Sequence, residues 1–85
     1  MIFSREIRAA RALLGWSQVK LAAAASVGVA TVRRLETAGS EIRGSVDTVW
    51  KIQRALENAG IEFIPAEAGK GPGVRLTTAA KTPKA

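Results

Sequence analysis

Two adjacent arginines, Arg33 and Arg34, close the segment VATVRRLE at residues 29–36, and no other side chains in the chain are so well suited to recognising another molecule. A guanidinium presents its donors in a rigid plane that matches the edge of a guanine or the oxygens of a phosphate. One turn upstream stand Val29, Ala30 and Thr31. Valine and alanine offer only apolar contact there, the kind a thymine methyl accepts. Other chemistry is sparse. The chain has no cysteine and no histidine, which removes disulfides, thiolate metal sites, imidazole acid-base catalysis and nucleophile-histidine pairs together. Carboxylates such as Glu41 and Asp47 are scattered and imply no pocket, so the residues assemble neither an enzyme site nor a site for a metal or cofactor.

Presenting those residues requires a helix, and the helix requires a partner to cross. Ser17 is a good N-cap, so a helix is expected from Gln18, with Leu21, Ala22 and Ala25 on one face and an alanine run of the highest helix propensity. Ser26, Val27 and Gly28 interrupt it. A second helix is expected over Val29 to Glu36, capped by Gly28, with Val32 and Leu35 turned to the core. Helices joined by so few residues cross steeply, which needs small side chains at the crossing; Ala22 and Ala25 supply them and Val27 fills the turn.

The segment from Ser17 to Glu36 resembles the phage-repressor-like helix-turn-helix family, of the Cro and xenobiotic-response-element type. The resemblance is carried by Ser17-Gln18, Leu21-Ala22, Val27, Thr31-Val32 and Leu35-Glu36, and with the flanking helices it covers roughly residues 4 to 59. Two features depart from the family pattern. Ser26 and Gly28 reverse the usual order of glycine then polar cap, which leaves Ser26 to carry backbone strain that glycine normally carries. Lys20 stands where the family often has a glutamate completing a capping box. The resemblance implies a mainly α fold, a lambda-repressor-like bundle of four helices with a helix-turn-helix. It also implies that Arg11 pairs with Glu36 and fixes the first helix against the third. The loop after the third helix would run beside the DNA backbone, with Gly39, Ser40 and Arg43 as phosphate contacts.

The rest of the chain fits around this centre. Ser4 is expected to cap a first helix that ends near Leu14, with Glu6 near its positive end and Ile7, Ala10, Leu13 and Leu14 as its buried stripe. Gly15 stops it, and Trp16 reads as a core plug rather than a base-stacking platform. Thr37 to Gly44 reads as a loop. Ser45 is expected to cap a fourth helix, Val46 to Ala59, with Val49, Ile52, Leu56 and either Trp50 or Ala55 inward. Ile61 to Pro65 and Val74 to Thr77 are β-prone and predict a C-terminal β-hairpin with a long loop. Its apolar residues Ile61, Phe63, Ile64, Val74 and Leu76 could pack on the fourth helix or form a dimer interface. The glycines between the strands have no following helix and contain Pro72, which favours a flexible loop over a phosphate cradle. The expected organisation is a helix-turn-helix domain over 1–60, the hairpin as a dimerisation element over 61–77, and a disordered tail over 78–85.

Charge agrees with this placement. The net charge is +6, from 13 Lys and Arg against 7 Asp and Glu. Almost all the excess falls before residue 55, where Arg5, Arg8, Arg11, Lys20, Arg33, Arg34, Arg43, Lys51 and Arg54 face only Glu6, Glu36, Glu41 and Asp47. The positive field therefore surrounds the helix pair, where a polyanion would dock. The expected partner is double-stranded DNA, with Val29, Ala30, Thr31, Arg33 and Arg34 on base edges in the major groove. Ser17, Gln18 and Lys20 at the start of the second helix would take a phosphate, since free amides and helix dipole make an anion site there. One copy reads few base pairs, so a homodimer on a pseudo-palindromic operator is expected. The leading function is a transcriptional regulator, most simply a repressor. A DNA-binding antitoxin with a toxin partner and a helical protein-interaction adaptor are the alternatives. No apolar run approaches the roughly 20 residues of a membrane span, and a cytoplasmic location is expected.

Overall fold

Four helices and then a two-stranded antiparallel sheet follow one another in the computed structural model, which describes residues 4–37 and 46–77. They are α1 (Ser4–Leu14), α2 (Gln18–Ala25), α3 (Val29–Glu36), α4 (Val46–Asn58), β1 (Ile61–Ile64) and β2 (Gly73–Leu76). The expected cap Ser45, the expected contacts Gly39, Ser40 and Arg43, and the expected tail 78–85 lie outside the described residues.

Each helix folds where its apolar stripe can be covered. On α1, Ile7, Ala10 and Leu14 are buried. Leu13 was expected in that stripe but is 39% exposed, because it lies about 120° round the helix from Ile7. Ser4 also differs from expectation. It is the first residue of the helix, fully buried, and its hydroxyl donates to the carbonyl of Leu35 at the far end of α3. A short side chain that could have capped its own helix ties two helices together instead.

Only three residues, 26–28, join α2 to α3. Ser17 has extended backbone and its Oγ accepts from the Lys20 amide at 3.0 Å, the expected N-cap. At the other end Ser26 takes the left-handed conformation, φ 58° and ψ 44°. Its amide reaches back to the Ala22 and Ala23 carbonyls, and the Val27 amide bonds Ala22 O at 3.0 Å. The end carbonyls of α2 are thereby satisfied, at the cost of a conformation that ordinary L-residues avoid by about 1–2 kcal/mol. Gly28 then opens α3 with no side-chain cap.

The core gathers Ile7, Leu21, Val32, Leu35, Ile52 and Leu56, with Ala10, Ala22, Ala25 and Ala55 where helices approach closely. On α4 the inward residue is Ala55, 9% exposed, whereas Trp50 is 57% exposed and points to solvent. Ile52 comes two positions after Trp50, about 200° round, so the two lie on opposite sides of the helix.

The hairpin pairs Ile61 with Leu76, Phe63 with Val74, Glu62 with Arg75 and Ile64 with Gly73. Alternation puts the first two pairs on one face, and that face turns inward: β1 packs on α4 and β2 on α1. On the outer face Arg75 makes two hydrogen bonds to Glu62, at 2.9 and 3.1 Å. The intervening loop folds back on itself through reciprocal bonds between Glu67 and Lys70, a turn that Gly69 allows with φ 73°. Ile61 is 2% exposed and belongs to the same core as the helices. Its side chain is therefore committed to its own chain and leaves the set expected at a dimer interface. Phe63, Val74 and Leu76 are also packed against that core, partly buried.

Candidate nucleic-acid interface

The sequence VATVRRLE sorts into two faces once it is wound as α3. Val32, Leu35 and Glu36 are buried, Ala30, Arg33 and Arg34 are exposed, and Val29 and Thr31 lie between. Neither Arg33 nor Arg34 makes an ion pair within the described residues. Both belong to the last turn, where a cation complements the negative end of the helix. Thr37 closes that turn, its hydroxyl donating to the carbonyls of Arg33 and Arg34 at 3.0 and 3.2 Å. The outcome is an outward ridge of Ala30, Arg33 and Arg34, with neither guanidinium in an ion pair among the described residues and with Val29 half-buried against the core.

What holds the ridge in place is Glu36. Its carboxylate is 1% exposed, and a charge so deeply placed must be paired and hydrogen-bonded. Arg11 supplies both needs in a fork, Nε to Oε2 at 2.8 Å and Nη2 to Oε1 at 2.9 Å. The remaining Nη1 donates to the carbonyl of Trp16 at 2.9 Å, which ties the α1–α2 connection to the same point. Gln18 donates from Nε2 to Oε1 at 3.0 Å, and Arg8 donates to the backbone carbonyl of Glu36. Burial alone would push the Glu36 carboxyl up; the hydrogen bonds from Arg11 and Gln18, with the charges of Arg11 and Arg8, outweigh it and hold the group below the ordinary glutamate range. Arg11 is raised in turn, chiefly by its hydrogen bond to Glu36 and against a smaller effect of burial.

The expected phosphate-binding residues divide. Ser17 is exposed at the start of α2 with its oxygen engaged in the cap. Gln18 is half-buried and its amide nitrogen is turned to Glu36 rather than outward. Lys20 is exposed, with its ammonium 5.7 Å from the centre of the Trp16 ring, close enough for attraction to the ring face. Trp16 itself is half-buried and packs against the core. Sequence reasoning missed Arg8, which entered only as one charge of the positive field, and missed Gln18 as a partner of Glu36. For Gln18 the available signal was the buried acid, since a carboxylate at the end of a short helix needs more than one donor and Gln18 is a polar residue on the element beside it.

No group of three or more His, Cys, Asp or Glu able to hold a metal ion exists among the described residues, and no described helix is long and apolar enough to cross a membrane. The arrangement is a helix pinned at its inner end by the Glu36 network, with Ala30, Arg33 and Arg34 on its exposed face. No curated protein matches the chain. A family model described as helix-turn-helix matches residues 7–62, a span that contains the Glu36 network, both α2 and α3 and the first residues of the hairpin. With that span matched and the geometry as described, the chain belongs to the helix-turn-helix family, of the Cro and xenobiotic-response-element type, whose members are DNA-binding transcription regulators.

Proposed function

We propose that the protein is a sequence-specific repressor that inserts α3 into the DNA major groove and acts as a homodimer on a pseudo-palindromic site. The observation that carries this reading is the division of α3 into a locked inner face and an outer face of Ala30, Arg33 and Arg34. Val29, Ala30 and Thr31 meet thymine methyls or base edges near the start of the helix, and Arg33 takes a guanine through its two-pronged donor set. Arg34 takes a second base or a phosphate. Lys20, Ser17 and the opening of α2 contact the backbone, together with Gly39, Ser40 and Arg43, which follow α3 in sequence. Occlusion of a promoter is then sufficient for repression, in the cytoplasm where the DNA is.

Selection of binding sites from random duplex DNA tests this directly. The expected outcome is a symmetric motif with half-sites about one helical turn, roughly 34 Å, apart. Arg33→Ala should relax one base position by about 1–3 kcal/mol while leaving the others unchanged. Affinity should fall with salt, with a log-log slope of several units. A chain that enriches no motif and ignores duplex DNA at low ionic strength would refute the proposal.

A further inference from the structure

Two of the large apolar side chains exposed among the described residues, Val46 at 81% and Trp50 at 57%, stand one turn apart on α4. The guanidinium of Arg54, one turn further, lies 5.6 Å from the centre of the Trp50 ring. This stripe faces away from Ile52 and Leu56, so packing among the described residues does not account for it. We propose that it is the surface on which a second copy of the chain packs, with the two α4 helices antiparallel about a two-fold axis passing beside Trp50. The proposal rests on the homodimeric DNA-binding reading for its purpose and on the pattern of α4 for its geometry.

That pattern is self-complementary in one orientation. At 100° per residue, Asp47 and Arg54 lie on the same flank of Trp50, about 60° and 40° round the helix. Along the axis Asp47 is about 4.5 Å toward the N-terminus and Arg54 about 6 Å toward the C-terminus. A two-fold axis perpendicular to both helices reverses the axial order and keeps the flank. It therefore brings Asp47 against the partner's Arg54, and the symmetric contact follows. On the other flank Val46 meets the partner's Gln53 by the same rule. Parallel packing, about a two-fold axis along the helices, would instead exchange the flanks and set Asp47 across from the partner's Val46 and Arg54 across from the partner's Gln53, leaving both charges without a counter-charge. Asp47 is free to re-pair, because its present bond to Lys51 is 3.4 Å long and its side chain is 72% exposed. Tryptophan and arginine at the centre of the patch are the residues that most often carry binding energy. The hairpin competes poorly for this role, since one of its faces is already spent on α1 and α4.

The test is sedimentation of the full chain over a concentration series, with binding measured on duplexes carrying one and two half-sites. Trp50→Glu, a change at an exposed position, should raise the dimer dissociation constant by roughly thirty-fold, the effect of losing one interface hot spot. Asp47→Arg and Arg54→Asp should each weaken the dimer, and the two together should restore it, since the charges meet again with signs exchanged. All variants should keep the far-UV spectrum of the parent. Three results would overturn the inference: a Trp50→Glu chain that dimerises as well as the parent, a double reversal no better than its single members, or a parent monomeric at every concentration. The first would assign the dimer to another surface, the open strand edges among them. The DNA reading fails separately: Trp50→Glu should keep the parent's affinity and salt slope on a single half-site, and loss of all duplex binding by the parent would sink that reading while leaving the interface standing.

Discussion

Replacing Arg11 on α1 by methionine removes the cation while keeping much of the aliphatic stem. Glu36 would then keep its burial, at 1% exposure, and its hydrogen bond from Gln18 at 3.0 Å, but lose both bonds from the fork. Breaking one side of a buried pair costs about 3–5 kcal/mol. The lower end, about 3 kcal/mol, applies here because Gln18 remains and water can reach a pair whose Arg11 side chain is 21% exposed. For a domain of this size that corresponds to a fall in Tm of about 12–24 °C. Urea unfolding at pH 7 measures the free energy and a thermal scan the shift. Arg11→Met with Glu36→Leu should recover more than half of the loss, because the stranded charge is gone. The pH dependence has a definite sign. In the parent the Glu36 carboxyl is held low, so its stabilising contribution is complete above the ordinary glutamate pKa of about 4.3 and disappears as pH falls through the lower folded value. In Arg11→Met burial faces weaker opposition and the group protonates more readily, so the gap between variant and parent should narrow on acidification from pH 7. A single variant costing under about 1 kcal/mol, or a double variant as unstable as the single, would show that the pair behaves as an exposed one and that α3 is held by its apolar face alone.

Other substitutions follow from the same network and its surroundings. Ser26→Gly should stabilise by about 0.5–1 kcal/mol, since relief of the left-handed strain exceeds the added backbone entropy, and a Tm raised by a few degrees would register it. Ser17→Ala removes the acceptor for the Lys20 amide and should cost about 1 kcal/mol in denaturant unfolding. Gln18→Ala should lower stability by about 1 kcal/mol and leave the salt slope of DNA binding unchanged, because an uncharged amide releases no counterion; a reduced slope would show that the residue draws a phosphate contact into place.

Local chemistry made the centre of the fold legible. Ser17 as a cap, the alanine run, Gly28 and the spacing of Val32 and Leu35 all act within a few residues, so they can be read without knowing what packs on them. The observed bounds of α2 and α3 are the ones that pattern predicts. Longer-range decisions were not readable in this way. Ser4 looks like a cap from its own neighbours, and only the approach of the Leu35 carbonyl gives its hydroxyl a different task. Gln18 opens a helix as a phosphate-binding residue would, yet a buried carboxylate nearby outbids solvent for its amide. Trp50 breaks the tendency of large apolar residues to bury, and that tendency made either it or Ala55 a candidate for the inner face. Arg8 was invisible for another reason: its partner is a backbone carbonyl, which every sequence contains.

The seating of β2 against α1 has a consequence for synthesis. Gly73 emerges from the ribosome long after Leu14, about 3–12 s later at ordinary elongation rates, and until then one side of the first helix lacks its cover. The helix-turn-helix can collapse early from contacts among neighbours, but its frame closes only when a strand made much later returns to the beginning. Truncation after α4 would therefore leave a nascent domain of correct local shape with an open seam, a target for proteases and for aggregation rather than a smaller working regulator.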